Sequence, residues 1–105
     1  MPVAPSCNSI DEVRANIDRI DRQIVGLLAE RGGFVRQAVQ FKKTGEDVKA
    51  PQRVEQVIAK VKILAEEFGG DLKVTENVYR AMISSFIDAE MVELAARQSH
   101  PLGKG

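Results

Sequence analysis

Five charged side chains stand at positions where their neighbours predict an apolar helix face or a helix start. Arg31 occupies an apolar position of a long helical pattern, and Arg14 and Lys42 lie towards the two ends of the same pattern. Arg53 follows a helix-starting proline, and Glu90 interrupts another apolar stripe. Several cations left unpaired in a core would be very costly, and guanidinium groups bind carboxylates well. These residue types predict a site for a small ligand with more than one negative charge.

The spacing of the cations indicates that the site needs two chains. Apolar residues recur every three or four positions from Ile10 to Lys42, which predicts one helix roughly 50 Å long at about 1.5 Å per residue. A capping-box pattern that starts at Ser9 predicts the beginning of this helix. Arg31 and Lys42 would then lie about 16 Å apart on nearly the same face, but Arg14 would lie about 25 Å from Arg31. An antiparallel partner helix would bring its own Arg14 back to this site.

Two more amphipathic helices are expected. Pro51 suits the start of one, and Asp71 is a candidate N-cap for the other, which should run to about Gln98. The polar stretch 43–50 between the first two helices is interpreted as a loop. The predicted organisation is a flexible leader over residues 1–8, a helical domain over 9–98 and a flexible tail over 99–105.

The predicted fold is therefore all-α, with three helices of which the N-terminal one is very long. Such a helix is longer than a compact chain of 105 residues can cover with its other elements. The third helix is also apolar on more than one side. An intertwined homodimer, with long helices packed along their apolar seams, is the expected assembly.

Composition argues against several other classes of protein. Fifteen basic and fifteen acidic residues balance, so the bulk positive charge expected of a nucleic-acid-binding protein is missing. No apolar run reaches the roughly 18 residues of a membrane span, and the first eight residues do not have the order of a signal peptide. Cys7 is a single cysteine, which fits a reducing compartment. We expect a cytoplasmic protein without a membrane or nucleic-acid partner.

Each charged residue also has a simpler interpretation. Arg31 could extend to solvent or pair with a carboxylate, as arginines on helices commonly do. Arg53 could be an ordinary solvated surface residue. Glu90 could form a salt bridge with one of the arginines or be kept neutral by burial.

The set of motifs resembles the all-helical chorismate mutase family. The residues that carry the resemblance are Arg14, the segment Leu27-Leu28-Ala29-Glu30-Arg31, Lys42 and Arg53. The resemblance spans about residues 10–95. Within the family, the segment Ala50-Pro51-Gln52-Arg53-Val54 and the stretch Ile17-Asp18-Arg19-Ile20-Asp21 look closest to the isochorismate-pyruvate lyase branch.

The resemblance implies a role for each candidate residue. Arg31 and the other chain's Arg14 would bind the two carboxylates of the substrate, and Lys42 would hydrogen-bond its ether oxygen and a carboxylate. Arg53 would orient the ring or close the pocket, and Glu90 would face the ether oxygen. The implied reactions are pericyclic: chorismate rearranges to prephenate, or isochorismate gives salicylate and pyruvate. Neither needs a cofactor or metal, only a reactive conformer and positive donors at the breaking C–O bond.

Two positions depart from the family pattern. Val54 stands where typical mutases carry a glutamate for the ring hydroxyl, which weakens the mutase interpretation. Glu90 replaces the usual glutamine of bacterial members, and a carboxyl group donates to an ether oxygen only when it is protonated. Three hypotheses follow: first a chorismate mutase, then an isochorismate-pyruvate lyase, and last a non-catalytic helical dimer that keeps the fold as a binding module.

Overall fold

The computed structural model describes residues 4–99, and these fold into helices joined by short connections. Three are long and one is a single turn, so the all-α prediction is confirmed. None of the helices within this part of the chain is both long and apolar enough to cross a membrane. The helices are α1 (Ile10–Val39), α2 (Gly45–Lys49), α3 (Pro51–Glu67) and α4 (Leu72–Gln98).

Helix α1 begins where the capping residues predict but ends earlier than expected. The Ser9 side chain accepts a hydrogen bond from the Glu12 backbone N–H at 3.1 Å, and Glu12 accepts in return from the Asn8 N–H. The expected end was Lys42, whereas the helix ends at Val39. The next N–H groups bond carbonyls three residues back, and Lys42 N–H donates to the Val39 carbonyl at 3.0 Å. The chain therefore tightens into a turn, and Lys42 lies just beyond the helix.

The expected loop over residues 43–50 contains the one-turn helix α2. Thr44 and Asp47 form a capping box, in which each side chain accepts a hydrogen bond from the other residue's backbone. The backbone N–H groups of Lys43 and Thr44 both donate to Asp47 and hold the pKa of its carboxyl below the usual value. Ala50, with φ of 37° and ψ of 61°, then turns the chain through the left-handed region into α3.

The expected limits of the other two helices are confirmed. Pro51 is the first residue of α3, where its missing N–H is no loss, and the helix stops before Gly69 and Gly70. The Asp71 side chain caps α4 by accepting from the Val74 N–H at 3.0 Å. Most of the predicted leader and the first residue of the predicted tail have irregular structure, and residues 1–3 and 100–105 lie outside the described part of the chain.

One chain buries only a small core, and it lies around α4. Val39, Val48 and Leu94 join the ends of α1, α2 and α4. The first two thirds of α1 have no such cover. Its apolar seam is exposed from Ile10, at 59%, to Leu27, at 65%. The radius of gyration is 18.0 Å, whereas a compact chain of this length should have roughly 13 Å.

Ion pairs connect α3 to α4 on the surface. The Arg80 guanidinium donates to both oxygens of Glu55 on α3, at 2.9 and 3.0 Å, and to Glu76 on its own helix, at 2.8 Å. Lys62 of α3 lies 3.4 Å from the other oxygen of Glu76. The Arg80 hydrogen bonds hold the pKa values of the Glu55 and Glu76 carboxyls below their usual 4.5.

These pairs predict a pH-dependent contribution to stability. Both carboxylates have lowered pKa values when folded, so their stabilising effect should be present above about pH 4.5 and be lost as pH falls through the folded values. Arg80→Gln should therefore lower the unfolding free energy at pH 7 but have less effect at pH 3. Urea unfolding at both pH values measures this. Lys60→Gln, which removes an exposed cation of α3, is the control, and an Arg80→Gln effect that is equally large at pH 3 would contradict the prediction.

Candidate functional site

The centre of the candidate site is an ion pair between the end of α1 and the middle of α4. The Lys42 Nζ atom lies 2.7 Å from Glu90 Oε2. The Glu90 side chain is 8% exposed and that of Lys42 is 24% exposed, so the carboxylate is buried while the ammonium can still reach a ligand. Of the two expectations for Glu90, pairing and neutrality, the structure shows pairing, although with Lys42 rather than with an arginine.

The chain around Lys42 is fixed on both sides. The turn before it hydrogen-bonds back to α1, and the capping box of α2 follows it directly. The Gln98 side chain at the end of α4 donates to the Lys43 carbonyl at 2.6 Å. Val48 of α2 is 2% exposed, which anchors this segment in the core. These contacts make residues 43–50 an ordered wall beside the lysine.

Arg31 contacts α4 one turn before Glu90 and is held differently. Its guanidinium carbon is 5.3 Å from the centre of the Phe86 ring, within the range of a cation–π contact. Three lysine and arginine residues of the described chain are half-buried, namely Arg31, Lys42 and Lys62. Within residues 4–99 the two lysines pair with glutamates, whereas Arg31 forms no ion pair. Its charge is therefore free for an anionic ligand.

A glycine allows α4 to approach α1 beside Arg31. A methyl group at Gly32 would lie 3.1 Å from Cε1 of Phe86, closer than ordinary packing allows. Phe86 and Glu90 are four residues apart on α4 and so lie on the same face of that helix. The same face of α4 thus contacts both cations, Arg31 through Phe86 and Lys42 through Glu90.

An open groove runs from this cluster along α1 and α4. Its volume is about 840 Å³, and its lining is mainly apolar. Phe86 and Glu90 line one end, and Ile24, Leu28 and Val78 line the part where the exposed seam of α1 diverges from α4. The charged residues of the lining are Arg36, Glu90 and Glu93, whereas Arg31 and Lys42 reach the groove only through their contacts with Phe86 and Glu90. An apolar cleft with a few polar groups is typical of a site for a small organic molecule.

Two of the predicted site residues have no ion pair or hydrogen bond to this cluster within residues 4–99. Arg14 is exposed near the start of α1, and its distance from Arg31 along the helix remains about 25 Å. Arg53 is exposed in the first turn of α3. Neither forms an ion pair within residues 4–99.

The cluster offers positive hydrogen-bond donors and one carboxyl group. Lys42 and Arg31 can bind carboxylates or stabilise negative charge as a bond breaks, and Glu90 can exchange a proton. Within the described residues, no group of three or more His, Cys, Asp or Glu side chains is arranged to hold a metal ion.

Sequence reasoning missed the residues that support the cluster. Phe86 was taken only as part of an apolar stripe, although its ring contacts Arg31. The pattern Thr44-x-x-Asp47 is a capping-box signal and could have predicted α2. The contact between Gln98 and the Lys43 carbonyl joins residues 55 positions apart, and nothing local in the sequence indicates it.

Comparison with known proteins agrees with this geometry. The family described as chorismate mutase type II matches residues 13–94, a span that includes all five candidate residues. A protein of Pseudomonas aeruginosa named isochorismate pyruvate lyase is 32% identical over 93 residues, which cover 89% of this chain and 91% of that protein. A match over most of the chain shows that this chain belongs to the chorismate mutase type II family.

Proposed function

We propose that this protein is a cofactor-free enzyme that catalyses a pericyclic reaction of chorismate or isochorismate. The observation that carries the proposal is Arg31, a half-buried cation without an ion-pair partner in residues 4–99. It contacts Phe86, which lies one turn before the partner of Lys42 on α4 and lines an apolar groove. Arg31 would bind a substrate carboxylate, and Lys42 would donate to the ether oxygen and a carboxylate. Such an arrangement holds a flexible dianion in its reactive conformer and stabilises negative charge at the breaking C–O bond.

The proposed active unit is a homodimer with two shared sites. The exposed seam of α1 forms a continuous apolar face, and surfaces of this kind mark protein interfaces. A second α1 running antiparallel along the groove would cover this face. It would also bring its Arg14 to Arg31, whose distance from the Arg14 of the same chain is too large for one small ligand. Arg53, at the exposed start of α3, would close the pocket over the substrate ring.

Between the two reactions, we favour isochorismate-pyruvate lyase over chorismate mutase. The relative from Pseudomonas aeruginosa carries that name, and the similarity covers nearly the full length of both proteins. Val54, half-buried in the first turn of α3, offers no carboxylate for a ring hydroxyl. Chorismate mutase is the second candidate because the family bears that description. A non-catalytic helical dimer is the remaining alternative, and the uncommitted charge of Arg31 argues against it.

The first prediction separates these functions. Purified protein incubated with isochorismate should release salicylate and pyruvate, and chorismate should give prephenate more slowly or not at all.

Arg31→Ala should lower kcat/KM at least a hundredfold, because an electrostatic contact to the reacting dianion is worth about 2.7 kcal/mol or more. Arg22→Ala, which removes an exposed arginine of the same helix, is the matched control. Turnover of neither substrate would favour the non-catalytic alternative, and normal turnover by Arg31→Ala would remove the central claim.

The second prediction tests the shared site. Arg14→Ala and Lys42→Ala chains should each be inactive as homodimers. After equal amounts exchange subunits, half of the dimers would be hybrids with one intact site, so activity should return to about a quarter of the wild-type level. Exchange is followed with differently tagged chains. Hybrid dimers that form but stay inactive would argue against a site built from both chains.

The third prediction concerns Glu90, which would face the ether oxygen. At neutral pH the carboxylate pairs with Lys42 and cannot donate, whereas a glutamine amide donates at every pH. Glu90→Gln should therefore raise kcat/KM at pH 7.5 by roughly tenfold, about 1.4 kcal/mol. If Glu90→Gln is no faster at pH 7.5, the side chain at this position does not act as a donor to the ether oxygen.

A further inference from the structure

We propose that Phe86 is a positioning residue that holds the Arg31 guanidinium ready for a substrate carboxylate. The inference rests on the proposed function for the identity of the substrate, but the contact itself does not. The guanidinium carbon lies 5.3 Å from the ring centre, and Arg31 has no ion-pair partner within residues 4–99. We therefore infer that the Phe86 ring restrains this half-buried guanidinium.

A ring suits this task better than a carboxylate would. A guanidinium is planar and carries its five N–H donors around its edge, whereas an aromatic ring attracts its charge through the face. The cation can thus be restrained while its donors remain available for a carboxylate. A glutamate in place of Phe86 would use two of those donors and neutralise the charge. Phe86 would hold Arg31 without competing with the ligand.

The local structure fixes the ring in place. Gly32 follows Arg31 directly, and the edge of the ring lies so close to its backbone that a methyl group would be 3.1 Å from Cε1. Phe86 is one helical turn before Glu90, the partner of Lys42. One face of α4 therefore sets the positions of both cations, and a shift of the ring should move Arg31 without breaking the pair between Lys42 and Glu90.

The first test replaces the ring. Phe86→Leu keeps an apolar side chain but removes the aromatic face, and we expect kcat/KM to fall by about fivefold, mainly through KM, because Arg31 would still be present but less often in place. Phe86→Tyr keeps the ring and should restore activity to near the wild-type value. Phe68→Leu, at the exposed end of α3, is the control. Thermal unfolding of each variant shows whether the effect follows stability. A fall that tracks the unfolding temperature and is not restored by tyrosine would overturn the proposal.

The second test does not require turnover. The Nε–H proton resonance of Arg31, assigned by its loss in Arg31→Lys, should be shifted in the wild type by the ring above it. It should move towards the value of a solvated arginine in Phe86→Leu and stay in place in Phe86→Tyr. Titration with chorismate, followed at the same resonance, should give about fivefold weaker binding for Phe86→Leu. If wild-type protein binds chorismate without turnover, the proposed function fails while the positioning role stands. An unshifted resonance, or unchanged or absent binding, would overturn the positioning role.

A paired glycine substitution supplies an independent check. Gly32→Ala should push the Phe86 ring away and weaken chorismate binding in the same direction as Phe86→Leu. Gly26→Ala makes the same chemical change on the same helix, where a methyl group meets no atom within 4 Å of the chain, and should leave binding unchanged. Because both substitutions raise helix propensity equally, their difference isolates the contact with the ring. Equal binding by the two variants would count against the proposal.

Discussion

The length of α1 is the constraint on which the rest of the structure depends. Thirty residues in one helix span about 45 Å, but α4 packs closely only against its C-terminal part. The remaining apolar seam is exposed in a single chain, and its cover must come from elsewhere. The same length separates Arg14 from Arg31 by about 25 Å. The exposed seam and the separation of the two arginines both follow from the length of this helix. An antiparallel partner helix would cover the seam and bring a second Arg14 close to Arg31.

The burial of Glu90 constrains the chemistry of the cluster. A buried carboxylate is very costly unless it is paired, and Lys42 supplies the pair. The same ammonium is the proposed donor to the substrate, so ligand binding must either share it or release it from the carboxylate. The Glu90 carboxylate thus stabilises the Lys42 ammonium in the absence of a ligand, and its negative charge disfavours the binding of a dianion.

Much of the fold was predictable because its signals are local. Ser9, Pro51 and Asp71 mark helix starts through bonds within one turn of the chain, and all three predictions are confirmed. The end of α1 and the helix α2 were predicted wrongly. The apolar pattern continues to Phe41 although the backbone has already turned, and the polar residues of 43–50 hide the capping box. Apolar periodicity indicates which residues prefer an apolar environment. It does not indicate where the backbone N–H groups stop bonding the carbonyl four residues back and the helix ends.

The sequence alone could indicate candidate residues for the site but not the contacts between them. Arg31, Lys42 and Glu90 stand out because each breaks an apolar pattern. The pairing of Lys42 with Glu90, 48 residues apart, depends on how α4 crosses the end of α1, and no local signal sets that crossing. Gly32 is a partial signal for that crossing, because a methyl group there would lie 3.1 Å from the Phe86 ring and the ring would have to shift. A glycine in mid-helix, which lowers helix propensity, is therefore explained by tertiary packing.

The three cations of the proposed site illustrate how a protein can keep positive charge available. Lys42 is restrained by a carboxylate and so is partly neutralised before a ligand arrives. Arg31 is restrained by an aromatic face, which leaves its charge and its donors free. Arg14 is exposed on the uncovered part of α1, where water stabilises it; in the proposed dimer a second chain would pack against that helix. Folding of one chain therefore does not have to bury three unpaired cations together. All three positive charges would meet only in the proposed dimer, where a dianionic substrate can balance them.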